Sequence, residues 1–268
     1  MISHSPRFFS ALTLGAAVVG FGLVAPQSAN ALTPVAQELF ISIDVSGSID
    51  TSEYNLQLGG YQLAFLDPVV QANIVNSGGI AVAVGQWSTT AFAPSIGWTL
   101  LQTNAEITAF ANLFPGLARE GDDFTCISCG INAGVAQITS NEYHSSNLVI
   151  DVSGDGVANS PGNDENARLE TVAARNAAEA AGIRVNGLPI GGGNALLTYF
   201  QDNVITADGF AVQANSFADF DDAVRDKIVT EVVPSPFSAV AVAPFLACLA
   251  KLRRRYTSTS SKSSYKMS

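Results

Sequence analysis

The stretch FISIDVSGSID, Phe40 to Asp50, changes character half way along. Its first half is apolar and β-branched, which suits a buried strand. Its second half sets Asp44, Ser46 and Ser48 at every second position. Extended residues two apart face the same way, so the strand ends in three oxygen side chains that converge as the chain curls over. The adjoining segment, IDTSEYNLQLGGYQLAFLD, reads as a helix. It is opened by Asp50 with Glu53 three residues on, the spacing of a capping box.

Outward from this point the chain alternates. The segments ELFISID (38–44), GIAVAVGQW (79–87), FAPSIGWTLL (92–101), NLVIDVS (147–153), IRVNGLPI (183–190) and GFAVQA (209–214) read as strands. The second and third have only a few residues between them and must be antiparallel neighbours. Helical patterns fill the other gaps: AEITAFANLF, the stretch from Cys126 to Thr139, ENARLETVAARNAAEAAG, ALLTYFQDNVI and FADFDDAVRDKIVTEV. Strands separated by helices predict an α/β fold with a doubly wound, mostly parallel six-stranded sheet, one antiparallel edge strand and helices on both faces.

The two ends stand apart from this pattern. Residues 1–31 have one Arg (Arg7), an uncharged apolar run from Phe8 to Val24 and small residues at Ala29 and Ala31, the grammar of a secretory signal peptide cut after Ala31. Residues 32–233 form the domain. Residues 234–268 carry an apolar run from Phe237 to Ala250, then KLRRRY and a Ser/Thr/Lys tail. As a helix that run spans about 21 Å, short of the ~30 Å bilayer core. With the preceding Val-Val-Pro-Ser-Pro the span is borderline for an anchor whose basic cluster stays cytoplasmic. This end resembles the bacterial PEP-CTERM sorting signals, with Ser235 where that family usually has Glu. The expected location is therefore extracytoplasmic, at the cell surface or in the extracellular matrix. Membrane contact is expected through the C-terminal segment alone.

All 23 acidic residues but only six of the 13 basic ones lie in residues 32–233, a formal charge of −17 for that stretch. Such a surface excludes nucleic acid, whose phosphates need a basic face. It suits a secreted protein or one that collects cations.

In an open α/β sheet ligands sit beyond the carboxyl ends of the strands. Asp44, Ser46 and Ser48 follow the first strand, VIDVSGDG delivers Asp155 after the fourth, and DDFTCISCG sets Thr125 just before a helix. Five hard oxygen donors from three loops describe a site for a hard divalent cation, Mg²⁺ or Mn²⁺ before Ca²⁺, because hydroxyl-rich, water-retaining octahedral shells suit small ions. Asp-x-Ser-x-Ser, a Thr opening the third helix and Asp-Gly after the fourth strand resemble the metal-ion-dependent adhesion site (MIDAS) of a von Willebrand factor A-type domain. Taken in order, DVSGS, VGQWS, FTCISCGI, VIDVSGDG, NGLPI and DNVI resemble an uncharacterised family of secreted bacterial proteins with this fold. The resemblance implies that Ser46, Ser48 and Thr125 coordinate the metal directly or through water, with Asp44 and Asp155 beside them. It also implies that a partner's Asp or Glu completes the shell. The function expected is a metal-dependent adhesion or ligand-binding module for a protein or other acidic ligand, not an enzyme.

Other readings of the same residues stand beside this one. Asp, Ser and Thr favour helix caps and turns, so the five residues are also candidate caps. Asp151, Ser153, Asp155 and Gly156 imitate the start of a calcium loop, but its twelfth position is Gly162, with Asp164 and Glu165 as replacements. Gly191–Gly193 lacks dinucleotide spacing and reads as a turn. Cys126 and Cys129 form a C-x-x-C that reads either as a local disulfide or as a redox pair, with Asp122 and Asp123 disfavouring a thiolate. His4 leaves with the signal and His144 sits alone, so no Ser-His-Asp set assembles. A matrix or scaffold protein with a purely stabilising metal is the main alternative function.

Overall fold

The structure is a computed structural model that describes residues 31–232. The signal-peptide and sorting-signal readings lie outside these residues. In chain order the elements are β1 (Thr33–Pro34), β2 (Glu38–Asp44), α1 (Thr51–Leu66), α2 (Pro68–Ser77), β3 (Ile80–Trp87), β4 (Ile96–Leu101) and α3 (Asn104–Ala111). They continue with α4 (Ile127–Ile138), β5 (Tyr143–His144), β6 (Leu148–Gly154), α5 (Asp164–Ala180), β7 (Ile183–Pro189), α6 (Gly193–Asn203) and α7 (Phe220–Glu231).

The central sheet has the order β4-β3-β2-β6-β7; only the β3–β4 pair is antiparallel, as their short connection requires. β1 and β5 form a separate two-residue parallel pair. The sheet has five strands rather than the six expected. Residues 209–214 do run beside β7, with parallel bridges Gly187↔Ala211 and Ile190↔Ala214. The Gly187 N–H donates to the Phe210 carbonyl, and the Ala214 N–H donates to the Pro189 carbonyl. Between the two bridges stands Pro189, which has no N–H to give, so the ladder is broken there.

Pleating divides the core. Leu39, Ile41 and Ile43 of β2 face a layer built from Tyr54, Leu58, Tyr61 and Phe65 of α1 and Phe220, Val224 and Ile228 of α7. Phe40 faces the opposite layer, with Ile127 and Ile131 of α4, Ala167 and Ala174 of α5, and Phe200 of α6. Helix α4 lies close on the sheet because residue 130 is Gly: a β-carbon there would stand 2.6 Å from Trp87 Cδ1. Helix α1 begins with the expected capping box, Asp50 accepting from the Glu53 N–H and Glu53 from the Asp50 N–H, each at 2.8 Å. Because β2 connects outward to β3 on one side and is flanked by β6 on the other, the strand order reverses between β2 and β6. That reversal opens a crevice beyond their carboxyl ends.

Candidate metal centre

All five predicted residues meet in this crevice. Asp44 ends β2 and is fully buried; its Oδ1 accepts the Ser46 N–H at 2.8 Å. From there a chain of hydroxyls crosses the crevice: Thr125 Oγ1 to Ser46 Oγ at 3.3 Å, Ser46 Oγ to Ser48 Oγ at 3.3 Å, and Ser48 Oγ donating to Asp155 Oδ1 at 2.7 Å. None of the five caps a helix. Asp50 caps α1, Asn163 caps α5, and α4 begins at Cys126 without a side-chain cap. Helix capping is thereby removed for all five, while Asp44 does close the turn after β2 through the Ser46 N–H; the hydroxyls are held towards one another.

The second oxygen of Asp44 is the telling atom. Oδ2 is buried, and no donor reaches it in hydrogen-bond geometry. A β-carbon at residue 154 would stand 2.9 Å from it, so Gly154 keeps the space that Oδ2 occupies. A buried carboxylate normally finds a cation, a metal or a proton. Burial pushes the Asp44 carboxyl up to about 7, with the Ser46 N–H and hydroxyl opposing it, the charge of Asp155 adding to it and the Asp155 backbone N–H opposing it. Burial likewise raises Asp155, against the pull of the Ser48 hydroxyl and with a further push from Glu53. Two carboxylates raised by burial, one with an unpartnered oxygen, and three hydroxyls between them are a donor set that fits a hard cation. Among the described residues no group of three or more His, Cys, Asp or Glu side chains is placed to hold a metal, so a cation here would draw on hydroxyls, carbonyls or water beside the two carboxylates.

Several residues that position the site do not show in the motif. The Arg119 guanidinium donates to the Val45 carbonyl at 3.0 Å and the Ser46 carbonyl at 2.7 Å, tying the loop before Thr125 to the loop after β2. The Gly47 N–H donates to the Asp123 carbonyl at 2.7 Å, and a β-carbon at 47 would lie 2.6 Å from the Asp122 carbonyl oxygen. Asn159 Oδ1 accepts the Thr125 N–H at 2.8 Å, fixing Thr125 against the turn that carries Asp155. Buried Gln57 donates to the Asp44 carbonyl at 3.3 Å. Arg119 is one of only six cations in residues 32–233, and that scarcity is the signal that marks it.

The remaining candidates resolve differently. Asp151 belongs to β6 and is ion-paired in the core with Lys227, so the calcium-loop reading fails at its first ligand. Gly191–Gly193 form a turn with all three φ values left-handed, at 65°, 64° and 57°. Cys126 and Cys129 are joined in a disulfide, with Cys126 fully buried.

Fold and site together define a von Willebrand A-like domain with a hydroxyl-rich cluster at its switch point. Residues 34–236 match the family described as "Protein of unknown function (DUF1194)", and the chain belongs to that family. No curated protein matches the chain. Among solved structures it is similar to proximal thread matrix protein 1 (PTMP1) from the mussel byssus, at 16% identity and TM-score 0.53, covering 75% of this chain and 48% of that one. It is also similar to the pilus adhesin SpaC from Lactobacillus rhamnosus GG, at 13% identity and TM-score 0.53 over 75% and 30% of the two chains. A mutant of the PilB minor pilin from Streptococcus sanguinis gives 14% identity and TM-score 0.53 over 74% and 61%. The chain thus spans less than two thirds of these proteins, and the likeness is one of fold. One PTMP1 structure has a zinc-occupied MIDAS motif.

Proposed function

We propose that this domain is a metal-dependent binding module in which Asp44, Ser46, Ser48, Thr125 and Asp155 hold one divalent cation, Mg²⁺ or Mn²⁺ before Ca²⁺. A carboxylate of a protein or other acidic ligand completes the site. The observation that carries this reading is the buried, unpartnered Asp44 Oδ2 at the switch point of the sheet. When bound, the cation supplies an exchangeable position for an oxygen ligand. The chain's own residues prepare that position: Asp44 contributes charge from below, Ser46 and Thr125 contribute neutral oxygens, and Ser48 and Asp155 face solvent at the rim. Neutral hydroxyls leave more of the ion's charge for the ligand than a cage of carboxylates does.

Electrostatics sharpen the expectation. A domain at −17 repels acidic partners within roughly a Debye length of 8 Å at physiological salt, so capture of a carboxylate depends steeply on the metal. The proposed location is outside the cytoplasm, in keeping with the leader and sorting-signal readings and with a fold shared by pilus adhesins and a byssal matrix protein. Among the described residues no helix is long and apolar enough to cross a membrane. The buried Cys126 within a disulfide supports a structural rather than a redox role for the C-x-x-C pair.

Thr125→Ala tests the reading. The hydroxyl makes one long hydrogen bond, to Ser46, so its loss is expected to cost only about 1 kcal/mol of stability. Mg²⁺ affinity measured by calorimetry is expected to fall about tenfold, the ~1.4 kcal/mol of one lost oxygen ligand. Unchanged Mg²⁺ affinity in this variant rejects the assignment of Thr125. Partner binding that survives both Thr125→Ala and EDTA, while EDTA lowers the melting temperature, makes the metal purely stabilising, as in a scaffold protein.

A further inference from the structure

Helix α1 contains two adjacent glycines, and only one of them is explained by packing. A β-carbon at Gly60 would stand 2.5 Å from the Phe220 ring, so α7 can approach only a glycine. A β-carbon at Gly59 would meet nothing within 4 Å, and its backbone is ordinary helix. Glycine inside a helix is unfavourable relative to alanine, so Gly59 weakens α1 without serving the core. What it does is leave the outer surface of α1 bare.

That bare surface is the floor of a groove. A hollow of about 150 Å³ lies between Leu56, Gly59 and Leu63 on α1 and Phe217, Ala218 and Asp221 opposite. A second, of about 500 Å³, shares Leu56, Phe217 and Ala218 with the first and reaches Glu53 and Asp155. With Leu56, Phe217 and Ala218 common to both, the two hollows follow α1 from Asp155 at the candidate metal centre to Leu63, a groove with an apolar floor and polar edges that include Asn55, Asn215 and Ser216. Leu56 and Leu63, two turns apart on α1, are 45% and 55% exposed, and both line the first hollow.

We infer that this groove receives a large apolar side chain of a protein ligand whose acidic residue is held at the metal centre. The ligand is thus a polypeptide carrying Asp or Glu with Leu, Phe or Met a few positions away. The inference rests on the metal reading above for the acidic half of the ligand and on the groove alone for the apolar half. Continuity with Asp155 sets the two anchors side by side. The charges around the groove, Glu53, Asp155 and Asp221, are all negative and repel a run of acidic residues or a polyuronate. An apolar anchor in a pocket beside a polar one is the pairing that concentrates binding energy in protein interfaces.

The test uses a displayed library of dodecapeptides with one fixed Glu and randomised flanks, selected on the full chain in Mg²⁺ and in EDTA. A β-carbon at residue 59 meets nothing within 4 Å and residue 59 is none of the five metal-site residues, so Gly59→Leu is expected to occupy the groove with Mg²⁺ affinity and melting temperature matching or exceeding those of wild type. Selection on wild type is expected to enrich a large apolar residue at a set distance from Glu. Gly59→Leu is expected to weaken the selected peptides at least tenfold. Selection with no apolar preference, or peptides bound equally by Gly59→Leu, overturns the groove and leaves the metal reading standing. Apolar peptides lost in Gly59→Leu but bound equally in EDTA support the groove and overturn the metal reading. Self-association of wild type that Gly59→Leu abolishes makes a second copy the occupant and overturns the inference.

Discussion

Replacing Lys227 by methionine is expected to cost on the order of 3–5 kcal/mol of folding stability, the effect of stripping one partner from a buried ion pair. Lys227 is fully buried and its Nζ contacts both Asp151 Oδ1 and Glu231 Oε1, themselves at 0% and 2% exposure. Asn186 Nδ2 donates to Glu231 Oε1 at 2.8 Å, and Asn186 Oδ1 accepts the Phe210 N–H at 3.1 Å. One ammonium therefore joins α7 to β6, and through Glu231 and Asn186 to β7 and the segment beyond it. Methionine matches the stem but leaves Asp151, and Glu231 whenever it is ionised, buried without a counter-charge. The urea midpoint measures the loss, provided the slope is unchanged. A midpoint within about 1 kcal/mol of wild type would show that the ion network does not hold α7 to the sheet.

The same network has a pH signature. Burial first, and then the charge of Asp151, push the Glu231 carboxyl up to about 8, with Lys227 and Asn186 opposing. Unfolded, it titrates near 4.5. The folded state thus holds a proton that the unfolded state releases. The stabilisation is fully present below about pH 4.5 and is lost as pH rises to about 8. One proton limits the slope to about 1.4 kcal/mol per pH unit. Asp44, also raised, contributes with the same sign in metal-free buffer, so the comparison of wild type with Glu231→Gln isolates Glu231. The variant is expected to lose stability less steeply between pH 5 and 8, and equal slopes for the two proteins would remove Glu231 as the proton holder.

This network marks where reading the sequence stops. The alternation of strands and helices, the antiparallel β3–β4 pair and the Asp50–Glu53 cap follow from periodicity and local spacing, and the structure has all three. Asp44, Ser46, Ser48, Thr125 and Asp155 were legible because their positions after strands or before a helix send them to one edge of any doubly wound sheet. Lys227 was not. On a helix of pattern FDDAVRDKIVTE a lysine reads as solvated, and what draws it inside is Asp151, 76 positions earlier in the chain. Asp151 in turn was visible only as part of a spurious calcium loop, since the strand pattern does not say which face its carboxylate takes. The broken sixth strand is a subtler case. Its alternation reads as a strand, but the partner that must donate to it is Pro189, and a missing donor on a neighbour is invisible until register is known.

Asp44→Asn is expected to abolish Mg²⁺ binding while leaving the metal-free domain as stable as wild type or more so. Asparagine keeps an oxygen to accept the Ser46 N–H and matches the carboxylate in volume, so the turn after β2 survives. It removes the charge that burial penalises, which is the reason the Asp44 carboxyl rises to about 7 without a metal. In wild type that charge is the asset: with Mg²⁺ at 100 times its Kd, binding to the folded state alone stabilises by about 2.7 kcal/mol. The variant should show no such gain. Asp155→Ala should lose the gain as well, and with it the hydrogen bond from Ser48 at the rim. A carboxyl kept buried at the expense of the metal-free fold is what a binding site requires and a cap or turn does not. Thermal unfolding of wild type, Asp44→Asn and Asp155→Ala with and without Mg²⁺ decides the matter. An equal rise in melting temperature in all three would place the cation elsewhere and reduce the hydroxyl chain from Thr125 to Asp155 to a structural feature of the crevice.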